Sequence, residues 1–475
     1  MVTNDSSSKA LKAGIGYTIG NVFIKGITFI SIPIFARLLS VGDYGIVNTC
    51  NAYVAILSIF IGFALHSSIK NAKIDYANEI NQYVSSLILL ILFNSIFFLL
   101  IAILFSSSIA RYLSLKSGFL VALIVMESFG SALISYYNCV LAIDYKFKEY
   151  IKISLLYSIS NMLISIVFIM CFFQNTKWLG RILGTVVSSL LVTALILFRI
   201  FRRSMPKVNK GYWKYGLQIS LPIIPHGLSQ IVLAQFDRLM INSVIGSVEA
   251  GLYSFAYNIG TIFQVIVNSL DTAWTQWFFE QMHLKNYIKI RKVASVYCGI
   301  VTCGTVALML ISPELILLMG GKKYIDSSVI AFPVLFSMYL SFLYYFPASV
   351  EYYYKKTNFI AVATMSAAVL NIILNAIFIP LHGYIAAAYT TVFCYSLYYI
   401  FHLYLSKYIH GSMVYDLKNQ FLCLSIVAIV TFICILLRNV FFFRYLILSC
   451  ELVLILIVLV KNKEILLSYF RMGKH

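Results

Sequence analysis

Apolar residues fill this chain in long blocks divided by short polar turns. The blocks have the length, about 20 residues, at which a helix rising roughly 1.5 Å per residue crosses a hydrocarbon layer. They predict fourteen spans, near 14–36, 45–68, 83–105, 117–141, 153–173, 181–200, 217–241, 251–273, 294–318, 329–351, 358–379, 384–405, 420–438 and 441–460. The expected fold class is all-α integral membrane. Inside several blocks the polar residues return every three or four positions, which gives the helix a polar stripe. Thr18, Asn21, Lys25 and Thr28 share a face of the first span, Asn48, Asn51, Ala55, Ser58 and Gly62 one of the second, and Glu127, Ser131, Ser135 and Asn138 one of the fourth. The seventh offers His226, Ser229, Gln230 and Asp237 after Pro222 and Pro225; the tenth offers Tyr339, Tyr344, Tyr345 and Glu351. The eighth is the most polar, with Ser254, Asn258, Thr261, Gln264, Asn268 and Asp271 in sequence. Small and amide side chains also serve helix packing and interhelical hydrogen bonds, so each stripe admits a structural reading beside a functional one.

Ser40–Ile46 and Gly246–Leu252 resemble each other, each placing an acid two residues before a glycine in a short turn after the first span of a half. Duplicated halves with equal numbers of spans are a transporter architecture in which substrate binds between the halves. The expected organisation is an N-terminal lobe over 1–200, a basic linker over 201–216, a C-terminal lobe over 217–405, and an extra helix pair with a tail over 406–475.

Composition excludes a soluble globule: 61% of residues are apolar and 11% charged. The net charge of +19 does not indicate nucleic acid, because the 36 basic residues lie between apolar spans rather than in one patch. An even number of spans puts both termini on one side. Most basic residues fall on the cytoplasmic side if the termini lie there. The largest group, Arg199, Arg202, Arg203, Lys207, Lys210 and Lys214, includes no acid between them and occupies the expected linker. It reads as an orientation signal and a contact for anionic lipid. The polar segment Met1–Lys12 precedes an apolar run too long for a signal-peptide core, so the first span is expected to be retained. The nine cysteines show no CxxC and no Cys/His ligand spacing, which points to neither a disulfide framework nor a metal site. No GxxxxGK[ST] loop is present, and Gly14, Gly16 and Gly20 precede no strand-and-helix nucleotide unit; no cofactor is expected.

Lys25 carries the most specific chemistry. It stands alone midway along the uncharged run from Ala13 to Ala36, about eleven residues from either end, or roughly 16 Å, whereas a lysine stem reaches about 6 Å. An ammonium at that depth needs water, a partner or an anionic ligand. It would serve as a point charge for phosphate, or pair with an acid such as Glu127. His226 reads either as a sugar or proton contact or as a bond to backbone freed by the prolines. Arg37 reads as a snorkelling outer arginine, Asp237 and Arg238 as a helix-end or gate pair, and Asp271 as a gate or a structural partner. Glu451 has Arg444 two turns away as its obvious local partner. Outer loops of about a dozen residues or fewer hold no nucleophile–base pair, which argues against an enzyme.

Asn21–Lys25 and Ile32–Gly45, followed in the second half by Leu221–Pro222, Asp237–Ile241, Ala250–Ala256 and Ala273–Trp274, resemble bacterial polysaccharide repeat-unit flippases of the Wzx type. Those belong to the multidrug/oligosaccharidyl-lipid/polysaccharide exporter superfamily. The resemblance implies two pseudo-symmetric six-helix lobes around a central cavity lined by spans 1, 2, 4, 7, 8 and 10. The last helix pair is extra, as in lipid II flippases. It implies transfer of an undecaprenyl-diphosphate-linked oligosaccharide from the inner to the outer leaflet of the cytoplasmic membrane by alternating access, for capsule, O-antigen or exopolysaccharide synthesis. A coupling ion, H⁺ or Na⁺, membrane lipids and a polysaccharide polymerase would be its partners. Lys25, Asn21, Asn51, Glu127, His226, Gln230, Asn258 and Gln264 are the expected substrate contacts. Lipid II or another lipid-linked glycan is an alternative cargo. A multidrug antiporter of the superfamily would favour acids over Lys25 in its cavity, and a polymerase would need catalytic groups.

Overall fold

A backbone that crosses hydrocarbon must satisfy its own hydrogen bonds, and the apolar blocks of this chain do so as helices. The computed structural model describes residues 2–438 and 440–461. In chain order the helices are α1 (Val2–Leu38), α2 (Val41–Gly62), α3 (Ile69–Asp75), α4 (Ile80–Leu104), α5 (Ser106–Tyr112), α6 (Gly118–Ile143), α7 (Phe147–Val167), α8 (Lys177–Arg203), α9 (Lys210–Ser220), α10 (Ile224–Val244), α11 (Ser247–His283), α12 (Tyr287–Gly320), α13 (Ser327–Tyr353), α14 (Thr357–His382), α15 (Ile385–His410), α16 (Leu417–Leu436) and α17 (Phe441–Lys461). No strand occurs among the described residues. The fold is all-α and multi-pass: among the described residues, 11 segments are long and apolar enough to cross a membrane. Twelve of the fourteen predicted spans fall along a single helix or its direct continuation; 217–241 runs over both α9 and α10, and 45–68 runs past the end of α2 at Phe63 and Ala64. α1, α15 and α17 lie at the first, twelfth and fourteenth spans, outside those 11 segments; in α15 tyrosines such as Tyr389, Tyr395, Tyr398 and Tyr399 replace aliphatic residues. The end of the expected C-terminal tail, 462–475, lies outside the described residues.

The chain folds as two compact units, 1–254 with 364–387, and 255–363 with 388–475. The first has a core of Leu87, Leu133, Tyr136, Tyr137 and Ile196, closed at one end by Tyr83 and Tyr212. Its basic stretch before and within α9 is pinned: Asn209 caps α9, the Trp213 indole donates to the Ser86 carbonyl at 2.9 Å, and Tyr212 donates to Glu79. The second is built around Trp274, whose indole donates to Ser349 Oγ at 3.1 Å and whose rings pack on Phe278, Phe346 and Tyr415. Rows of exposed apolar side chains, such as Phe93, Phe97 and Leu100 on α4 and Leu191, Leu195 and Phe198 on α8, suit contact with lipid.

The two repeat segments meet in the first unit. Ser40 caps α2 by accepting the Asp43 N–H at 3.0 Å, and Gly246, at φ 153°, adopts a backbone that favours glycine before α11. A Cβ on Gly45 would lie 1.8 Å from the Ser247 carbonyl oxygen, and one on Gly251 would lie 2.1 Å from that of Val41. Ser247 is the repeat counterpart of Val41 and Gly251 that of Gly45. The contact is thus reciprocal, as a two-fold relation between the segments requires.

Candidate functional site

α1 is oriented by glycines. A Cβ on Gly16 or Gly20 would lie 2.3 Å from the Phe147 or Ile151 side chain, so the helix backbone presses on α7. Tyr17 meets Tyr150 edge-on at 5.0 Å, and the Tyr150 hydroxyl donates to Asn21 Oδ1 at 2.8 Å. This turns Asn21, Lys25 and Thr28 to the exposed side. Phe23 and Ile30, also exposed, lie about 150° around the helix from Lys25 at roughly 100° per residue. The exposed surface of α1 therefore has a polar and an apolar side. No hydrogen bond or ion pair joins Lys25 to another described residue. The Thr18 side chain lies outside the described residues.

α2 packs along α10 in the same unit. Asn51 and Gln230 are exposed, while Asn48 and Ser58 bond to their own helix, at Tyr44 O and Ala55 O. His226 is half-buried with Nδ1 unpartnered, and it is Ser229 that donates to the Pro225 carbonyl, at 2.8 Å.

Glu127 is 6% exposed. The opposite charge it interacts with is Arg181, not Lys25. The Arg181 guanidinium bonds to Asn161 Oδ1 at 2.5 Å, Ser165 Oγ at 2.7 Å and Thr185 Oγ1 at 2.8 Å, and lies 4.0 Å from the centre of the Phe35 ring. Arg181 is the polar residue that sequence reasoning missed. It stands at the first position of a predicted span, where an arginine reads as an interface residue, and its spacing to Thr185 was the available signal.

Asp237 is 1% exposed; it accepts from Tyr253 at 2.5 Å and from Asn375 at 2.7 Å, which ties α10 to α11 and α14. The adjacent Arg238 is buried and donates to Gln235, and Arg37 is exposed. In the second unit, Gln264 donates to Asn268 Oδ1 at 2.8 Å, the Tyr345 hydroxyl reaches the same oxygen at 3.2 Å, and Thr275 donates to Asp271 at 3.4 Å. The stripe of α11 is thus a hydrogen-bonded row in which Asn268 is exposed and Asn258, Gln264 and Asp271 are half-buried. Arg444 does not serve Glu451: it donates to Glu314 and to the Leu310 carbonyl, because α17 packs on α12, and Glu451 Oε2 is left buried without a partner. Among the described residues, no group of three His, Cys, Asp or Glu side chains is placed to hold a metal.

These features, apolar helices with polar groups set along their faces, define a multi-pass all-α membrane protein. Residues 10–283 match the family described as polysaccharide biosynthesis protein, and the chain belongs to that family. A protein of the Lsg locus of Haemophilus influenzae is 20% identical over 371 residues, covering 76% of this chain and 89% of that protein. The fold is that of the lipid II flippase MurJ in an inward closed conformation, with TM-score 0.75 and 14% identity over 95% of this chain and 100% of that one. It is shared with an inward-facing multidrug resistance MATE family transporter of the MOP superfamily, with TM-score 0.61 and 15% identity over 81% of this chain and 99% of that one.

Proposed function

We propose that this protein is a flippase that carries an undecaprenyl-diphosphate-linked oligosaccharide from the inner to the outer leaflet of the cytoplasmic membrane by alternating access, supplying capsule, O-antigen or exopolysaccharide synthesis. In this reading fourteen spans form two six-helix lobes and an added pair, with both termini cytoplasmic, and the glycan passes between the lobes while its lipid tail stays in the bilayer. Family membership supports the substrate class. The observation that carries the reading is Lys25, a cation without a partner among the described residues, on a polar helix face turned away from Phe23 and Ile30. A diphosphate and sugar hydroxyls cannot cross hydrocarbon unpaired, and a protein surface must replace their water. Lys25 would hold the diphosphate; Asn21, Asn51, Gln230, His226, Asn258 and Gln264 would meet the sugar; and Glu127, through Arg181, would support the lining. Arg37, Asp237, Arg238 and Asp271 would serve the gates. An ion, H⁺ or Na⁺, would drive the cycle, and a polymerase would take the product.

The test is flipping of a fluorescent undecaprenyl-diphosphate glycan in proteoliposomes. Lys25→Ala should lower the initial rate roughly tenfold or more, the loss of one charge-assisted phosphate contact, while Lys25→Arg retains part of it. Full activity in the alanine variant would remove the phosphate site. Lipid II or another lipid-linked glycan is the second reading, favoured by the extent of the likeness to MurJ; the same assay with that cargo separates the two.

A further inference from the structure

Glu351 on α13 and His402 on α15 are both fully buried, at 0% exposure, and His402 Nδ1 lies 2.5 Å from Glu351 Oε1. Their other polar atoms, Glu351 Oε2 and His402 Nε2, are buried and have no hydrogen-bond partner. The imidazole is enclosed by aromatic rings: Tyr344 and Tyr398 meet it edge-on at 4.8 and 4.5 Å, with Phe401 at 5.3 Å. The groups around the pair are Tyr344 and Tyr352 on α13, Tyr398 on α15, and Asp271 on α11, which interacts with Tyr352. Cys298 on α12 and Cys423 and Gln420 on α16 lie behind α13, beside Tyr339 and Tyr399. None of these is basic.

A carboxyl and an imidazole at this distance hold one proton between them without net charge, whichever atom carries it. Adding or removing a proton leaves an uncompensated charge in a buried site, which burial resists. Two unsatisfied polar atoms in the same place are costly for a merely structural pair, and they are the atoms through which water could deliver or accept a proton. Pro347 lies one turn before Glu351 and, like Pro333 further up the helix, removes a backbone hydrogen bond of α13, so this stretch is one where that helix can bend.

We propose that Glu351 and His402 form the proton-binding site that couples this flippase to a proton gradient. The pair carries one proton. When α13 bends and water reaches Nε2 or Oε2, the N–H or O–H bond breaks and the proton passes to water, leaving the Glu351 carboxylate beside a neutral His402. The pair reloads one proton from water on the other side of the membrane. This rests on the flippase reading for what the proton drives.

The full chain is reconstituted and followed in two ways. Infrared difference spectra between acid and alkaline buffer, taken with no cargo present, should contain a carboxyl band that Glu351→Gln abolishes and that His402→Gln moves to a different pH. With the fluorescent undecaprenyl-diphosphate glycan, an imposed pH gradient should speed the wild type several-fold and leave Glu351→Gln, and independently His402→Gln, unaffected. A Glu351 band that does not titrate, or a folded variant that answers the gradient as the wild type does, overturns the proposal. So does a wild type that flips the glycan at the same rate with and without a gradient. A wild type that flips no glycan under any condition sinks the transport reading instead, and the infrared titration still decides whether Glu351 exchanges a proton.

Discussion

Arg181 shows how a buried charge is made tolerable at the level of single residues. Three neutral oxygens, from Asn161, Ser165 and Thr185, accept from it, and the Phe35 ring covers it at 4.0 Å. Its opposite charge, Glu127, is also buried and forms no ion pair at contact distance with another described residue. Removing one partner of such a pair leaves an uncompensated buried charge, a loss of about 3–5 kcal/mol, whereas replacing both with neutral groups is far milder. Arg181→Met should therefore lower the unfolding midpoint of the detergent-solubilised protein markedly, and Arg181→Met with Glu127→Gln should restore most of it. Equal destabilisation by the single and double variants would show that the two charges do not depend on each other. Lys25 is the contrasting case, an exposed charge with no hydrogen bond or ion pair to another described residue. Its isolation was legible from the chain alone, because charge and span length are both sequence properties. The pairing of Glu127 with Arg181 was not, since they are more than fifty positions apart and only the packing of α6 against α8 brings them together.

At the scale of the helices, the turn before α2 and the turn before α11 bind by backbone contact. Glycine is needed at Gly45 and Gly251 because carbonyl oxygens occupy the place of a Cβ. Gly45→Val should separate the two helix starts and cost about 1–3 kcal/mol through overpacking, read as a lower unfolding midpoint. In a cysteine-free background, cysteines at Gly42 and Val248, where a Cβ on Gly42 lies 3.4 Å from the valine side chain, should form a crosslink that Gly45→Val weakens. Unimpaired crosslinking and stability would refute the contact. The repeat was visible as a short likeness of residues. That the two copies touch was not, because a sequence likeness states that two segments adopt the same shape and says nothing about where they lie. The same limit appears at α17: local spacing suggested Arg444 for Glu451, and the lateral packing of α17 on α12 gave it to Glu314.

For the molecule as a whole, orientation in the bilayer follows from the distribution of charge. The stretch from Arg199 to Lys214 joins α8 to α10 through α9, and its aromatic residues Tyr212 and Trp213 hold it against α4. Its six basic residues are expected to keep it cytoplasmic. Replacing all six with glutamine should yield a mixed population in which this segment becomes accessible to a membrane-impermeant thiol reagent through a cysteine introduced at Ser204. A uniform wild-type orientation would assign the charges to lipid contact alone.

Sequence by itself determined that the chain is helical, apolar enough to live in a bilayer, internally repeated, and equipped with a solitary lysine midway along an uncharged run. These are properties of composition and of three- to four-residue periodicity, which neighbouring residues settle among themselves. Tertiary structure alone decided which charges neutralise one another, that the repeat segments lock through their glycines, and that Glu351 and His402 share a buried site. Each of those joins residues remote in the chain, and the free energy of a buried polar group depends on what surrounds it in space.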